Sequence, residues 1–314
     1  LPEWLIERGI GETRCALVEN GGIVEARIEL EGTTPAGSVI AARLKQAAKP
    51  AIALAEGIEY LLPKGALGIT EGAALNIEVT RQAIPGSEPW KRALARITDE
   101  PPRDARMLTG RELTFPAPKD ELSKAGWNDL IDQARTGVAP FAGGELRISA
   151  TPAMTLIDVD GYLPAEELAV LGAAEAARAI RRLDIGGSIG VDLPTVANKA
   201  ARQAAAAAID DHLPQPFERT AVNGFGFVQI VRPRHRASLV ELAQDRAAFE
   251  ARALLRRAAF ERSGPKRLAA HPAVISVIEA NPDWIERLAR QIGGTVGLRA
   301  EPNLPMSAGH AANA

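Results

Sequence analysis

The chain has 314 residues, with 37 basic and 39 acidic side chains, a formal net charge of -2, and 46% apolar and 24% charged residues. That composition excludes a globally basic, histone-like nucleic-acid protein, a disordered chain and a membrane-embedded one. A single cysteine, Cys15, excludes an internal disulfide and a zinc site of paired cysteines.

The length is that of about two domains. No apolar run reaches the ~18–20 residues that span a bilayer. The start, Leu1-Pro2-Glu3-Trp4, lacks the basic-then-apolar pattern of a secretory signal. The expected location is cytoplasmic. Arginine supplies 29 of the basic residues and lysine eight. Arginine's planar fork suits phosphate, although a GC-rich coding bias also yields such a ratio.

Residues 13–18 and 23–30 read as two strands joined at Asn20-Gly21-Gly22, a strong hairpin signal. Residues 37–80 hold short strand-like pieces: Ser38–Leu44, Ala51–Ala55, Ile58–Leu62, Gly68–Ile69 and Ala74–Thr80. Their spacing predicts a small barrel. Trp90–Ile97 reads as a short helix, and the proline-rich stretch 98–120 as a linker or crossing segment. Residues 121–136 read as a helix, 145–149 and 154–160 as strands, and 165–183 as a helix with apolar residues at helical spacing. Gly186-Gly187 stops it. A strand at Ser188–Leu193, a helix at Val196–Ile209 and a strand at Phe225–Val231 follow. This alternation predicts an α/β layer with a mixed or parallel sheet. A long helix at 239–262 and a small α/β tail at 272–279, 283–292 and 295–299 complete the chain, with the last dozen residues frayed.

Two strand ends carry acids. In Leu156-Ile157-Asp158-Val159-Asp160-Gly161, alternation puts Asp158 and Asp160 on one face and Ile157 and Val159 on the other. In Gly190-Val191-Asp192-Leu193, Asp192 ends the next strand and shares a face with Gly190. Strands joined by one helix are usually neighbours, so three carboxylates are expected at one sheet edge, where open α/β sheets place ligands. Oxygen ligands without histidine or cysteine suit Mg²⁺ or Mn²⁺. The alternative is that Asp160 is a turn residue and Asp192 a helix cap.

From residue 232 to 267 ten basic residues face four acidic ones. Arg232, Arg234 and Arg236 open that run directly after a strand. A phosphate backbone is one partner for such a stripe; a solvated helix face is the other reading. Phe225 and Phe227 are placed to stack on unpaired bases or to fill a core.

These pieces together resemble the bacterial ribonuclease E/G family. The carrying residues are Leu156-Ile157-Asp158-Val159-Asp160, the helix Ala173–Leu183 ending in Leu183-Asp184-Ile185-Gly186-Gly187, Asp192 on the next strand, and Phe225-Gly226-Phe227 leading into Arg236. The resemblance implies RNase H-like strands at 1–34 and an S1/OB-like β module at 35–85. A linker and return to the RNase H-like layer would occupy 86–150. A DNase I-like catalytic α/β domain would occupy 151–240, and a C-terminal helix with a small α/β domain 241–314. It implies a Mg²⁺-dependent endoribonuclease of RNA processing or decay, acting on single-stranded RNA and leaving a 5'-phosphate. Asp158 and Asp192 would hold the ion, with Asp160 as ligand or support. Arg232, Arg234, Arg236, Phe225 and Phe227 would bind RNA. The 5'-sensor region and the zinc-link cysteines are missing. Asp160 replaces an expected Asn, Gly224 an expected Arg, and Leu193-Pro194-Thr195-Val196 lacks an expected acid. A homo-oligomer would form without a zinc link. These departures keep a second expectation open: a catalytically impaired RNA-binding or ribosome-assembly accessory protein.

Overall fold

The computed structural model of the protein describes residues 1–85 and 91–313. In chain order it runs β1 (Glu3–Arg8), β2 (Glu12–Glu19), β3 (Gly22–Leu30), β4 (Val39–Gln46), β5 (Ala51–Ala55), β6 (Ile58–Leu62), β7 (Ala74–Arg81), β8 (Ala93–Thr98), β9 (Arg111–Leu113), α1 (Glu121–Lys124) and α2 (Trp127–Thr136). It continues with β10 (Val138–Phe141), β11 (Gly144–Ala150), β12 (Thr155–Gly161), α3 (Ala165–Arg182), β13 (Gly187–Asp192), α4 (Lys199–His212), β14 (Glu218–Arg219) and β15 (Phe227–Arg232). The last elements are α5 (Leu239–Leu242), α6 (Arg246–Ala259), β16 (Lys266–Ala270), α7 (Pro272–Glu279), α8 (Pro282–Ile292), β17 (Val296–Ala300) and β18 (His310–Asn313). The chain is mixed α/β with several sheets and a closed five-stranded barrel. It divides into two compact units. One comprises Leu1–Glu31, Gly110–Thr136 and Leu242–Ala314; the other comprises Gly32–Thr109 and Gly137–Glu241.

The first unit contains a sheet in the order β3-β2-β1-β9, in which β9 joins β1 in parallel. A second sheet, β17-β16-β18, packs with α6, α7 and α8 around Leu254, Leu255, Leu268, Val274, Ile278 and Leu288. Beneath the first sheet the apolar pattern gives way to charge. Glu7 lies opposite Arg14 across β1 and β2 and accepts its Nη1 at 2.7 Å; Arg256 of α6 donates Nε to the same carboxylate at 2.9 Å. Glu12 accepts Arg14 Nε at 2.7 Å and Arg252 Nε at 2.9 Å, and Asp120 accepts Arg256 Nη2 at 2.6 Å. Glu7, Glu12, Arg14, Arg252 and Arg256 are all buried. Burial pulls the Arg256 guanidinium downward, but Asp120 and Glu7 hold it above the usual arginine value. With three acids against three arginines the network is neutral, which is how buried charge is tolerated.

The second unit holds the barrel β4-β5-β6-β8-β7, filled by Leu44, Ala53, Tyr60, Leu62, Ile77 and Val79. It also holds the six-stranded sheet β10-β11-β12-β13-β15-β14. Leu146, Ile148, Ile157, Val159, Ile189, Val191, Val228 and Ile230 form one buried face of that sheet. Helix α3 covers this face: a Cβ on its Gly172 would collide with Val159, so the missing side chain sets the close helix–strand approach.

Several sequence expectations need correction. The segment ending at Ile97 is a strand, not a helix: Ala93–Thr98 alternates buried and less buried residues and joins β6 and β7 to close the barrel. Trp90 lies outside the described residues. Gly68–Ile69 is not a strand. The helix at 121–136 breaks at Gly126, whose φ is +102°. The helix at 239–262 is two helices, because Asp245 caps a new start at Arg246. The tail is not frayed: His310–Asn313 pairs antiparallel with β16. Five further strands, β1, β9, β10, β14 and β16, lie outside the expected ones. β1 precedes the hairpin, and β9 lies within the supposed linker, short enough to hide among its prolines.

Removing Arg256 leaves the buried Glu7, and the partly buried Asp120, without one of their cations. Arg256→Met is therefore expected to cost about 3–5 kcal/mol, the range for a broken buried ion pair. Urea denaturation followed by circular dichroism measures it, and a loss under ~1 kcal/mol would mean that water reaches Glu7 and Asp120.

Candidate functional site

The acidic strand ends meet. β12 and β13 are parallel neighbours, and their register sets Asp158 directly opposite Asp192. Residues paired across a ladder point to the same face, and strands lie about 4.8 Å apart. The two carboxylates therefore stand side by side, exposed, on the face opposite to Ile157 and Val191. This open face also carries Arg147 of β11, Gly190 of β13, and Phe227 and Gln229 of β15. Gly190 is needed there. A Cβ would lie 2.6 Å from the Phe227 ring and 3.0 Å from Leu156, so only glycine lets those side chains flank the acids.

Asp160 is placed differently from the expectation. It shares the face of Asp158 but sits two residues further along the strand, within 3.6 Å of the Arg147 guanidinium, which also pairs with Glu145. Among the described residues no three His, Cys, Asp or Glu side chains are arranged to hold a metal ion. Asp158 and Asp192 thus stand in register, and Asp160, two residues on along the same face, acts on Asp158 while lying 3.6 Å from Arg147. Neither Asp158 nor Asp192 makes a close ion pair among the described residues, but Arg147, opposite Asp158 in the ladder, offsets part of its charge. Partial burial, then Asp160, then Asp192, push the Asp158 carboxyl above its ordinary range. Two carboxylates in register, one of them resisting ionisation, form a donor set that a hard divalent cation would relieve.

The phenylalanines and arginines part company. Phe227 lies opposite Asp192 in the ladder, and Phe225, in the turn before it, is 81% exposed. The arginines lie at the far end of the same strands. Arg232 pairs with Gly187, five residues from Asp192 on β13, or roughly 17 Å along a strand. Arg232 also alternates with Val228 and Ile230, so it points to the other face of the sheet. Its Nη1 donates to the Ile185 carbonyl at 3.3 Å, Arg234 pairs with Glu241, and Arg236 Nη1 reaches Asp184 at 2.9 Å.

Gly186-Gly187 explains this strap. A Cβ on Gly186 would meet the Pro233 carbonyl at 2.7 Å, and Gly187 has φ +84°. The glycine pair lets the arginine loop lie against the end of α3. The expected RNA clamp at Arg232, Arg234 and Arg236 is bonded to the protein and distant from the acids.

Sequence reading missed Tyr162, which is 83% exposed in the loop directly after β12. Its signal was its place, two residues past Asp160 and before α3. It also missed Arg147, a cation opposite Asp158, which strand alternation at Glu145-Leu146-Arg147 could have supplied. No protein-family model matches this chain, and no curated protein is similar to it.

The raised Asp158 carboxyl sets a pH-dependent cost. An acid whose folded pKa lies above its unfolded value destabilises the fold at all higher pH, and the cost vanishes below the unfolded value near 3.8. Asp158→Asn is therefore expected to raise the melting temperature at pH 7.5 in EDTA by about 1 °C, an exposed group being discounted for solvent screening. The gain should disappear near pH 3.5. Scanning calorimetry at both pH values checks it; a lower melting temperature at neutral pH would refute it.

Proposed function

We propose that this protein is a Mg²⁺-dependent endoribonuclease of the ribonuclease E/G type, cleaving single-stranded RNA. One observation supports this most: Asp158 faces Asp192 in parallel register on an open sheet face flanked by exposed aromatic side chains. In this reading the six-stranded sheet with α3 and α4 is the DNase I-like layer, the barrel is S1-like, and the sheet β3-β2-β1-β9 belongs to an RNase H-like layer.

The donor set fits the cation. Mg²⁺ needs only one or two protein carboxylates at ~2.1 Å and keeps several waters, so Asp158 and Asp192 suffice for it. Mn²⁺ has the same preference for oxygen. Asp158 and Asp192 would hold the ion; when bound, it would supply a water nucleophile and stabilise charge on the scissile phosphate. The protein's own residues do the rest. Asp158 and Asp192 place negative charge where a cation would be held, beside the phosphodiester to be cleaved. Arg147 offsets part of the charge on Asp158 and lies 3.6 Å from Asp160. Phe225 and Tyr162 offer ring faces on which splayed bases stack, which favours single strands over duplex. By the family likeness the products carry a 5'-phosphate and a 3'-hydroxyl.

A second reading is an RNA-holding accessory protein. The incomplete acid cluster and the protein-bound arginines favour it.

Cleavage of unstructured RNA with and without Mg²⁺ separates them. Asp158→Asn and Asp192→Asn are each expected to abolish Mg²⁺-dependent cleavage. RNA affinity should stay within about threefold, since cationic contacts rather than these acids set it. Cleavage that persists in either variant removes the metal pair from the mechanism; binding by the wild type without cleavage establishes the second reading.

A further inference from the structure

A groove of about 380 Å³ runs along α4 in the second unit. Lys199, Arg202, Gln203, Ala206 and Asp210 form one wall, at helical spacing on a single side of α4. The other wall is Arg219, Ala221 and Val222, the segment leading into the turn that carries Phe225. The alanines keep it open where longer side chains would fill it.

The groove begins where the acidic site ends. Leu193, the residue after Asp192, donates its N–H to Gly226 at 3.2 Å, and Thr195 Oγ1 donates to the Phe225 carbonyl at 3.0 Å. Arg202 Nη1 donates to the carbonyls of Val196 and Ala197, at 2.8 and 2.7 Å, in that same loop. These bonds bind the loop after Asp192, the Phe225 turn and the first turn of α4 into one piece.

Charge along the groove is graded. Lys199 has no ion pair among the described residues, and Arg202 keeps Nε and Nη2 without a protein acceptor. At the far end Arg219 spends its donors on Asp210 and the Thr220 carbonyl. Uncompensated positive charge is thus confined to the end beside Phe225 and Asp192.

We infer that this end of the groove seats the RNA backbone flanking the cleaved bond, with Lys199 and Arg202 on two successive phosphates and Phe225 under the adjoining base. The inference rests on the nuclease reading and adds the strand's path. The occupant is single-stranded RNA: a basic wall of two charges takes phosphates, and the exposed ring beside it takes a base. Asp210 at the far end limits the contact to a short stretch.

The test is anisotropy of a fluorescently labelled, unstructured RNA oligonucleotide over a salt series in EDTA, so that binding is read without cleavage. Lys199→Met with Arg202→Met is expected to weaken binding about tenfold at low salt and to lower the slope of log K against log salt by about 1.4, at 0.7 per phosphate contact on a single strand. Arg178→Met, on the outer side of α3, should leave both unchanged. Arg202→Lys keeps the charge but not the fork to Val196 and Ala197, and should retain most of the slope. A double variant with the wild-type slope overturns the groove while the nuclease reading stands. So does a slope lost equally in Arg202→Lys, which would mark a displaced loop rather than a lost phosphate contact. A wild-type protein that binds no RNA at low salt overturns the nuclease reading itself.

Discussion

The candidate site depends on one register. β12 and β13 are parallel, and Asp158 stands opposite Asp192 because Ile157 stands opposite Val191 and Thr155 opposite Ile189. Ile157, Val191 and Ile189 are completely buried under the helices. A slip of one residue would turn those apolar side chains to water and the acids to the core. The hydrophobic pattern that makes the sheet pack is thus the same constraint that brings two like charges together. Partial burial, with Asp160 and then Asp192 adding like charge, raises the Asp158 carboxyl, a local cost carried by burial on the opposite face.

The two units handle charge in opposite ways. In the first, Glu7, Glu12 and Asp120 are matched by Arg14, Arg252 and Arg256, and all of these but Asp120 are buried. Such a network ties β1, β2, α1 and α6 in a defined geometry, since each fork accepts few orientations. In the second, Asp158 and Asp192 stand on an exposed face without a close ion pair, with Arg147 across the ladder from Asp158. Matched buried ions hold a fold, whereas unmatched exposed ions are available to a ligand.

The arginine loop shows why a charge count along a sequence misleads. Arg232, Arg234 and Arg236 open the most basic stretch of the chain, yet each is bonded to the end of α3 or to Glu241. Asp184 and Glu241 lie far enough from the run in sequence, or within so different a context, that their pairing could not be read from spacing. Lys199 and the unbonded part of the Arg202 guanidinium, in alanine-rich α4, are cationic groups without an ion pair among the described residues.

Much of this protein was legible in its residues. Alternation in Leu156–Gly161 and Gly187–Asp192 defined which side chains share a face, because a strand's period of two is imposed by the backbone itself. The Asn20-Gly21 turn, the short strands of the barrel and the helical spacing of Ala165–Arg182 followed from equally local rules. What local rules do not contain is which strand lies beside which, and how far a loop folds back. Only the tertiary structure decided that Asp160 lies beside Arg147, that β9 pairs with β1 about a hundred residues away, and that Phe227 rather than Arg232 borders Asp192. Those outcomes follow from strand order and the antiparallel run of β15, which carries its aromatic start to the acids and its basic end to the opposite rim. They arise from packing energies between distant segments, and no window of adjacent residues holds them.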